Sequence, residues 1–222
     1  SDEIVLKVEN LTSKGRFHDV SFELKKGEVL GIAGMLGSGR TELLNAVFGG
    51  ESYDSGNIEL FGEKMKKNAG PEYMKKKGLG MIQEDRQRQG IVKNHTIKQN
   101  MMRACIYKLG KGLFVDRKME DGMAKKRVED LQIKIASLND PITSLSGGNM
   151  QKVVVANWLN TEPKVMFLDE PSKGIDVNAK QQIFEIMWNM ARNGISSVVV
   201  STELEELLAI CHRILIMRDG KI

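Results

Sequence analysis

The chain of 222 residues contains little that would set it apart from ordinary globular proteins. Its two cysteines, Cys105 and Cys211, lie far apart and without metal-ligand spacing, so we expect reduced thiols rather than a disulfide framework. No apolar run approaches the roughly 18 residues that are needed to cross a bilayer. Any role at a membrane is therefore expected to depend on a partner.

A large excess of charge of one sign is also missing. Lys and Arg number 33 and Asp and Glu 29, which gives a net charge of +4. This excess is too small to predict a nucleic-acid partner. Hydrophobic residues make up 41% and charged residues 28%, which is typical of a globular domain and excludes disordered and collagen-like chains.

Strand and helix patterns divide the chain into two kinds of region. Short strands predominate up to about residue 90 and return after about 160, which predicts an α/β core over 1–90 and 160–222. The part between, about 91–159, is mainly helical and predicts a helical subdomain. Helical periodicity within that part predicts helices over 96–107, 116–131 and 149–159. The turn Asp219-Gly220 so near the last residue leads us to expect a piece of a longer protein.

A glycine-rich loop joins the apolar residues 29–33 to a predicted helix. The loop reads Gly34-Met35-Leu36-Gly37-Ser38-Gly39-Arg40-Thr41. Glycine lets the backbone wrap closely around a phosphate, and the helix that follows adds its positive N-terminal end. Thr41 stands where a hydroxyl can bind Mg²⁺, whereas Arg40 replaces the lysine of the usual phosphate loop. Its planar guanidinium fits the β- and γ-phosphates differently from a lysine.

A second signal is an apolar strand that ends in two carboxylates, Asp169 and Glu170. The ends of strands in an open α/β sheet are where such sheets bind ligands. Asp169 would hold Mg²⁺, and Glu170 would accept a proton from the attacking water. Such a pair can also be a simple helix cap, but the phosphate loop favours the catalytic interpretation.

A third signal opens the last helix of the helical region. It reads Leu145-Ser146-Gly147-Gly148-Asn149-Met150-Gln151-Lys152. Ser146 can cap the helix, and the two glycines leave backbone N–H groups accessible, which predicts a second anion site.

Together these motifs resemble the nucleotide-binding domain of ABC-type ATPases, and the resemblance covers essentially the whole chain. The segment Gly34–Thr41 is similar to the Walker A loop, Leu145–Lys152 to the ABC signature, and Val165–Glu170 to the Walker B strand. The resemblance implies a P-loop NTPase core of class α/β with a small antiparallel β subdomain and a helical subdomain. It also implies ATP and Mg²⁺ as cofactors.

In that family two domains pair head to tail, and each ATP lies between one Walker A loop and the partner's signature. The resemblance therefore implies that five signature residues contact the partner's ATP: Leu145, Ser146, Gly147, Gly148 and Gln151. One domain alone would carry two half-sites and no complete one.

Other family positions are matched less closely. Glu84 aligns best with the Q-loop glutamine, although Gln83 is adjacent, and Asp176 falls where the family has its D-loop. Thr202 occupies the place of the switch histidine that contacts the γ-phosphate. Phe17 is the only candidate for the aromatic that stacks on the purine, with core packing as its alternative. These departures predict an ATP site that hydrolyses slowly.

A narrower similarity lies in three segments: Gly37–Glu42, Glu84-Asp85-Arg86-x-Arg88-x-Gly90 and Glu170–Val177. These segments resemble the second ATPase domain of tandem sugar importers of the ribose, galactose and xylose type. That resemblance implies a preceding ATPase domain in the same chain, transmembrane permease subunits and, indirectly, a solute-binding protein. It places the protein at the cytoplasmic face of the membrane and leaves the isolated domain soluble.

Two alternatives differ from a transport ATPase. One is a soluble ABC-class ATPase that acts on nucleic acid; the mild charge and the lack of a heptad run count against it. The other is a nucleotide-binding regulatory domain without hydrolysis. Arg40 and Thr202 favour that alternative, and the Asp169–Glu170 pair counts against it. The sequence does not specify the solute.

Overall fold

The computed structural model describes residues 2–85, 89–111 and 114–222. It divides into two compact units. The first comprises Ser1–Met81, Lys164–Pro171 and Met187–Ile222, and the second comprises Ile82–Pro163 and Ser172–Ile186. The helical subdomain that the sequence predicts falls within the residue range of the second unit. Arg86 and Arg88 of the narrower family similarity lie outside the described residues.

The strands are β1 (Ile4–Ser13), β2 (Phe17–Lys25), β3 (Val29–Ala33), β4 (Ser55–Leu60), β5 (Glu63–Lys64), β6 (Leu79–Ile82), β7 (Gly110–Lys111), β8 (Phe114–Val115), β9 (Val165–Asp169), β10 (Ser196–Ser201) and β11 (Arg213–Ile216). The helices are α1 (Arg40–Phe48), α2 (Pro71–Lys76), α3 (Ile97–Met102), α4 (Arg117–Asp130), α5 (Gly147–Leu159), α6 (Val177–Arg192) and α7 (Leu204–Ile210). In the described part of the chain, no helix is both long and apolar enough to cross a membrane.

An antiparallel sheet in the first unit has the strand order β2-β1-β4-β5. Leu6 of β1 lies opposite Leu24 on one side and Leu60 on the other, and all three side chains are buried. Such apolar cross-strand contacts fix the register, because a slip of one residue would turn the whole apolar face to solvent. This sheet is the predicted antiparallel β subdomain.

A parallel sheet has the strand order β11-β3-β10-β9-β6. Every residue of β3, β9 and β10 is buried, as expected for parallel strands that are covered on both faces. Val200 of β10 lies opposite Ile32 of β3 and Asp169 of β9. The carboxyl ends of the three strands therefore meet at one edge, which is where open α/β sheets bind ligands.

The helix that the sequence predicts over 96–107 is α-helical only to Met102, so that prediction was wrong in its second half. Thr96 and Gln99 form a reciprocal capping box at its start. The backbone N–H of Ala104 donates to Oδ1 of Asn157 at 2.7 Å instead of continuing the helical hydrogen bonds. The chain then continues as a 3₁₀ helix over Arg103–Leu109.

Candidate functional site

The glycine-rich loop follows β3 in the first unit, and its shape depends on three glycines. Gly37 and Gly39 have φ angles of +80° and +96°, in the region that side chains rarely adopt. A Cβ on Gly34 would lie 2.4 Å from the carbonyl oxygen of Met217. Larger residues at these positions would therefore force the loop out of this conformation.

The loop leaves hydrogen-bonding groups available at the start of α1. Gly39 is the N-cap of α1 and supplies no side-chain hydrogen bond to the first turn. Ser38 Oγ is buried and has no hydrogen-bond partner among the residues that the structure describes. Met35 and Leu36, by contrast, are 85% and 88% exposed. Donors at a helix N-terminus of this kind are suited to an anion.

Arg40 links this loop to the end of β10. Its side chain is buried, and Nη1 donates to the carbonyl oxygen of Ser201 at 2.7 Å, while Nη2 donates to that of Met35 at 3.3 Å. A guanidinium has five N–H donors, so these two bonds leave donors for a phosphate. The substitution of lysine by arginine therefore adds a contact between the loop and β10, which the sequence did not reveal.

The two residues expected to hold a metal are Asp169 and Thr41. Asp169 is the last residue of β9 and only 1% exposed, and Thr41 is half-buried in the first turn of α1. No group of three or more His, Cys, Asp or Glu side chains that could hold a metal occurs among the described residues. Mg²⁺ needs no such group, because it keeps several waters and takes one or two protein ligands beside phosphates. A buried carboxylate and a hydroxyl fit that ion.

Glu170 is held by two hydrogen bonds, one to β10 and one to the residue that follows β10. Its N–H donates to the carbonyl oxygen of Val200 at 2.9 Å, and its Oε1 accepts from the N–H of Thr202 at 2.7 Å. Its φ angle of +48° is uncommon for a residue with a side chain. Such strain is found where the surroundings fix a functional group. The sequence predicts a role for the Thr202 side chain at the γ-phosphate. The hydrogen bond to Glu170 uses the Thr202 backbone instead, and no sequence pattern indicates that bond.

Phe17 is placed in the core of the first unit. Its side chain is only 2% exposed, although the residue lines a cleft of about 700 Å³ with Gly37 of the glycine-rich loop. Little of the ring can be reached from that cleft. The stacking of Phe17 on a purine therefore stays a prediction, and core packing is the role that the burial supports.

The motif at the start of α5 belongs to the second unit. Ser146 caps the helix, since its Oγ accepts from the N–H of Asn149 at 3.3 Å. A Cβ on Gly148 would lie 2.4 Å from the Cβ of Ala179 on α6, so this glycine has a packing role that the sequence analysis missed. Gln151 is buried, and its Oε1 has no hydrogen-bond partner in the described part of the chain.

The remaining residues of this motif differ in exposure. Leu145 and Gly147 are half-buried, whereas Lys152 is buried and its Nζ donates to the carbonyl oxygen of Gln132 at 3.1 Å. Burial lowers the pKa of the Lys152 ammonium, and the nearby charge of Lys134 lowers it further. The lysine thus ties α5 to the segment that follows α4.

The Q-loop and D-loop candidates also lie in the second unit. Glu84 forms an ion pair with Lys173, so its carboxylate is engaged, and Gln83 beside it is half-buried. Asp176 is exposed, and its Oδ1 accepts from the N–H of Ala179 at 3.0 Å, which caps α6. Their roles toward a nucleotide stay predictions.

Comparison with known proteins decides the family. Residues 17–173 match the family model described as ABC transporter. The chain belongs to that family. The family resemblance and the fold class predicted from the sequence are thus confirmed, and the fold of ABC ATPases implies that this domain binds ATP.

Two curated relatives align with the whole of this ABC domain. The ribose import ATP-binding protein RbsA of Caldanaerobacter subterraneus subsp. tengcongensis is 43% identical over 99% of this chain and 44% of its own length. A protein of Geobacillus kaustophilus named as a ribose/galactose/methyl galactoside import ATP-binding protein is 40% identical over 99% of this chain and 43% of its own. The chain thus spans less than half the length of these relatives.

Solved structures agree on the fold. A nucleotide-free ATP-binding cassette from an ABC transporter superposes with a TM-score of 0.82 at 24% identity, over 99% of this chain and 89% of that one. A dimeric ATP-binding cassette bound to ADP and Pi gives a TM-score of 0.81 at 20% identity, over 98% and 96%. At this level of identity, the likeness concerns the fold alone.

The structure groups the predicted site residues of this ABC domain by unit. The first unit contains the glycine-rich loop, Phe17, Asp169, Glu170 and Thr202, and it brings the ends of β3, β9 and β10 to one edge. The second unit contains the signature, the Q-loop candidates and Asp176.

Proposed function

We propose that this domain binds MgATP and hydrolyses it to power the import of a monosaccharide or a similar small solute. The observation that carries this proposal is the edge of the parallel sheet. There the glycine-rich loop follows β3, Asp169 ends β9, and Glu170 is held by the residue that follows β10. These are the parts that phosphoryl transfer to water requires.

The glycine-rich loop and α1 would take the phosphates. The N–H groups at the start of α1 provide donors and the positive end of the helix. Arg40 provides a positive charge: its Nη2 donates to the carbonyl oxygen of Met35 at 3.3 Å, so the guanidinium lies against the loop. Thr41 and Asp169 would hold Mg²⁺, which when bound neutralises charge on the phosphate oxygens.

Glu170 would accept the proton of the attacking water. Its Oε1 accepts the N–H of Thr202, which fixes the plane of the carboxylate, and its second oxygen can then take the proton. Thr202 carries no imidazole to contact the γ-phosphate. Together with Arg40, this supports slow hydrolysis at the domain's own site and favours, as a second candidate, a domain that binds ATP without hydrolysing it.

The signature would serve a partner domain. Ser146 is exposed at the start of α5, where an N-terminal helix end can face the γ-phosphate of a second ATP. The proposed partner is a first ATPase domain of the same, longer polypeptide. The 222 residues align with only 43% to 44% of each of two curated relatives, so these relatives are long enough to contain a second domain of this size. A dimeric cassette among the similar structures supports pairing of such domains.

The names of the relatives support a monosaccharide as the solute. The partners would then be transmembrane permease subunits and, indirectly, a solute-binding protein, with this domain at the cytoplasmic face of the membrane. A nucleic-acid partner is not proposed, since the net charge is only +4.

The first test compares MgATP binding and phosphate release for the purified 222-residue chain and its Glu170→Gln variant. Calorimetric binding by both, with turnover that falls at least about 100-fold in the variant, supports hydrolysis by this site. Turnover that rises more than linearly with protein concentration supports pairing of two chains. Binding without turnover at any concentration supports a half-site that needs its partner domain, and the same Glu170→Gln comparison in the tandem protein then separates hydrolysis from the second candidate. A chain that binds no MgATP overturns the proposal.

The composite site is tested in the full-length tandem protein, reconstituted with its permease. Ser146→Asp keeps a good helix cap but adds a carboxylate, and Ser146→Asn keeps the cap without the charge. We expect the Asp variant to lose ATPase activity, because like charges repel the partner's γ-phosphate, and the Asn variant to retain most of it. Wild-type ATPase activity in both variants would rule out a role for this signature at an ATP.

A further inference from the structure

A cleft adjoins the glycine-rich loop, on which the proposed function places the phosphates of ATP. It has a volume of about 700 Å³, opens at the turn between β1 and β2, and shares Gly37 with the loop. Phe17 lines this cleft but is 2% exposed, so its ring offers almost no face to a base. Another side chain must supply the flat surface if a base is bound here.

Arg16 is fixed directly against the glycine-rich loop. Its N–H donates to the carbonyl oxygen of Ser13 at 3.0 Å, which closes the turn between β1 and β2. A Cβ on Gly39 would come within 2.6 Å of the Arg16 carbonyl oxygen, and one on Gly220 within 2.9 Å. The Arg16 backbone therefore packs on two glycines, one of which is the N-cap of α1, so its position relative to the glycine-rich loop is set.

An ion pair at the edge of the guanidinium holds the side chain of Arg16. Its Nη1 forms an ion pair with Oε2 of Glu51, which follows α1, and the backbone N–H of Glu51 donates to the carbonyl oxygen of Asn45 at 3.3 Å. The Arg16 side chain nevertheless remains 46% exposed. A guanidinium is planar, so a carboxylate at its edge leaves the two faces free to stack on a ring.

Other charged groups that line the cleft are less suited to this role. Asp54 Oδ2 accepts the backbone N–H of Lys14 at 2.6 Å, so that carboxylate is engaged in holding the turn. Lys14 carries a compact ammonium without a flat surface. His18 also lines the cleft, is exposed and has a flat ring, but it lies on β2, whereas the backbone of Arg16 packs on Gly39 of the loop. Arg16 therefore combines a flat cationic group with a fixed position beside the loop.

We propose that Arg16, held by Glu51, binds the purine base of the nucleotide by stacking its guanidinium face on the ring. The inference rests on the proposed function, because it requires the triphosphate to lie on the loop Gly34–Thr41. Stacking uses the π-face that every base has, and the larger purine rings offer the most of it. Arg16 is thus a binding residue that favours purine nucleotides over bare phosphates without separating ATP from GTP.

The test measures direct binding of MgATP, MgGTP and inorganic triphosphate by calorimetry. The proteins are the wild-type chain, Arg16→Ala, Arg16→Lys and the control Lys14→Ala, which removes a cation from the same cleft. We expect Arg16→Ala to weaken ATP and GTP binding by about 3- to 30-fold and to leave triphosphate binding unchanged. Arg16→Lys, which keeps the charge but not the plane, should behave like the alanine variant, and Lys14→Ala like the wild type.

Three results would overturn the inference. Equal losses for ATP and triphosphate would make Arg16 a phosphate contact, and wild-type affinity in Arg16→Lys would assign the effect to charge. Wild-type affinity in Arg16→Ala would remove Arg16 from the site. In all three cases the wild-type chain still binds ATP, so the proposed function stands. A wild-type chain that binds neither ATP nor triphosphate overturns the proposed function and this inference with it.

Discussion

The backbone N–H of Thr202 donates to Oε1 of Glu170 at 2.7 Å. The two residues follow neighbouring parallel strands, β10 and β9, whose pairing sets Val200 opposite Asp169. Because the donor belongs to the backbone, every side chain at position 202 except proline preserves the contact. The sheet itself therefore positions the proposed general base, whichever of these side chains stands at position 202.

Thr202→Pro should lower the turnover of MgATP by about 10- to 100-fold, since a hydrogen bond to a charged group contributes roughly 1.5–3 kcal/mol. Thr202→Ala should retain the wild-type rate, because it keeps the N–H. Phosphate release at saturating MgATP measures both. If the alanine variant loses as much activity as the proline variant, the Thr202 hydroxyl rather than the backbone is the functional group.

Arg40→Met should destabilise the chain by about 1.5–3 kcal/mol, because the carbonyl oxygens of Ser201 and Met35 lose charged donors in a buried setting. Arg40→Lys should recover part of that loss, since an ammonium can reach one carbonyl but not bridge two. Urea denaturation gives both values. A methionine variant within 0.5 kcal/mol of wild type, on the scale of ordinary surface substitutions, would show that the bridge contributes nothing to stability.

How far the sequence predicts the site depends on whether a local pattern carries the information. The apolar run before Asp169 and Glu170 predicts a buried strand that ends in two carboxylates, and β9 ends at Asp169. The contact of Gly148 with Ala179 depends on how closely α5 and α6 approach. No pattern within either helix encodes that distance. The early end of α3 likewise depends on Asn157, which is far away in sequence.

Cys211 should resist thiol reagents in the folded protein. Burial raises the pKa of its thiol from 9.0 to about 12, with a smaller contribution from the charge of Glu28. At pH 8 the thiolate is then only about one part in 10,000, and the thiolate is the reacting species. Titration with a chromogenic disulfide at pH 8 should be slow for this thiol in the native chain and fast in urea. Cys211 is half-buried, and its rapid reaction in the native chain would show that this burial does not keep the thiol protonated.

The same shift has a consequence for stability at high pH. The folded-state pKa of Cys211 is raised, so its contribution is fully present below pH 9.0, the unfolded value, and is lost as pH rises toward about 12. Cys211→Ser removes the group, so the decrease in stability over this range should be smaller in the variant. Urea midpoints at pH 8 and pH 10 measure the difference.

Gly148→Ala should destabilise the second unit even though alanine is the better helix former. The added Cβ would lie 2.4 Å from the Cβ of Ala179, so α5 or α6 must shift, which costs roughly 1–3 kcal/mol. Ala179→Gly removes the opposing methyl group. In that background, Gly148→Ala should become neutral or stabilising by up to about 1 kcal/mol, the usual gain of alanine over glycine in a helix.

The four proteins of this double-mutant cycle, compared by urea denaturation, separate packing from function at the signature. A coupling energy of about 1–3 kcal/mol between positions 148 and 179 is expected from direct contact. If no coupling is measured, Gly148 has no packing role, and contact with the nucleotide is the role that remains for it. If the coupling is present, a loss of ATPase activity in a Gly148 variant cannot by itself show that Gly148 contacts ATP, because the packing of α5 on α6 changes as well. Ser146 is exposed and lies on the same turn, so its variants test the signature without that complication.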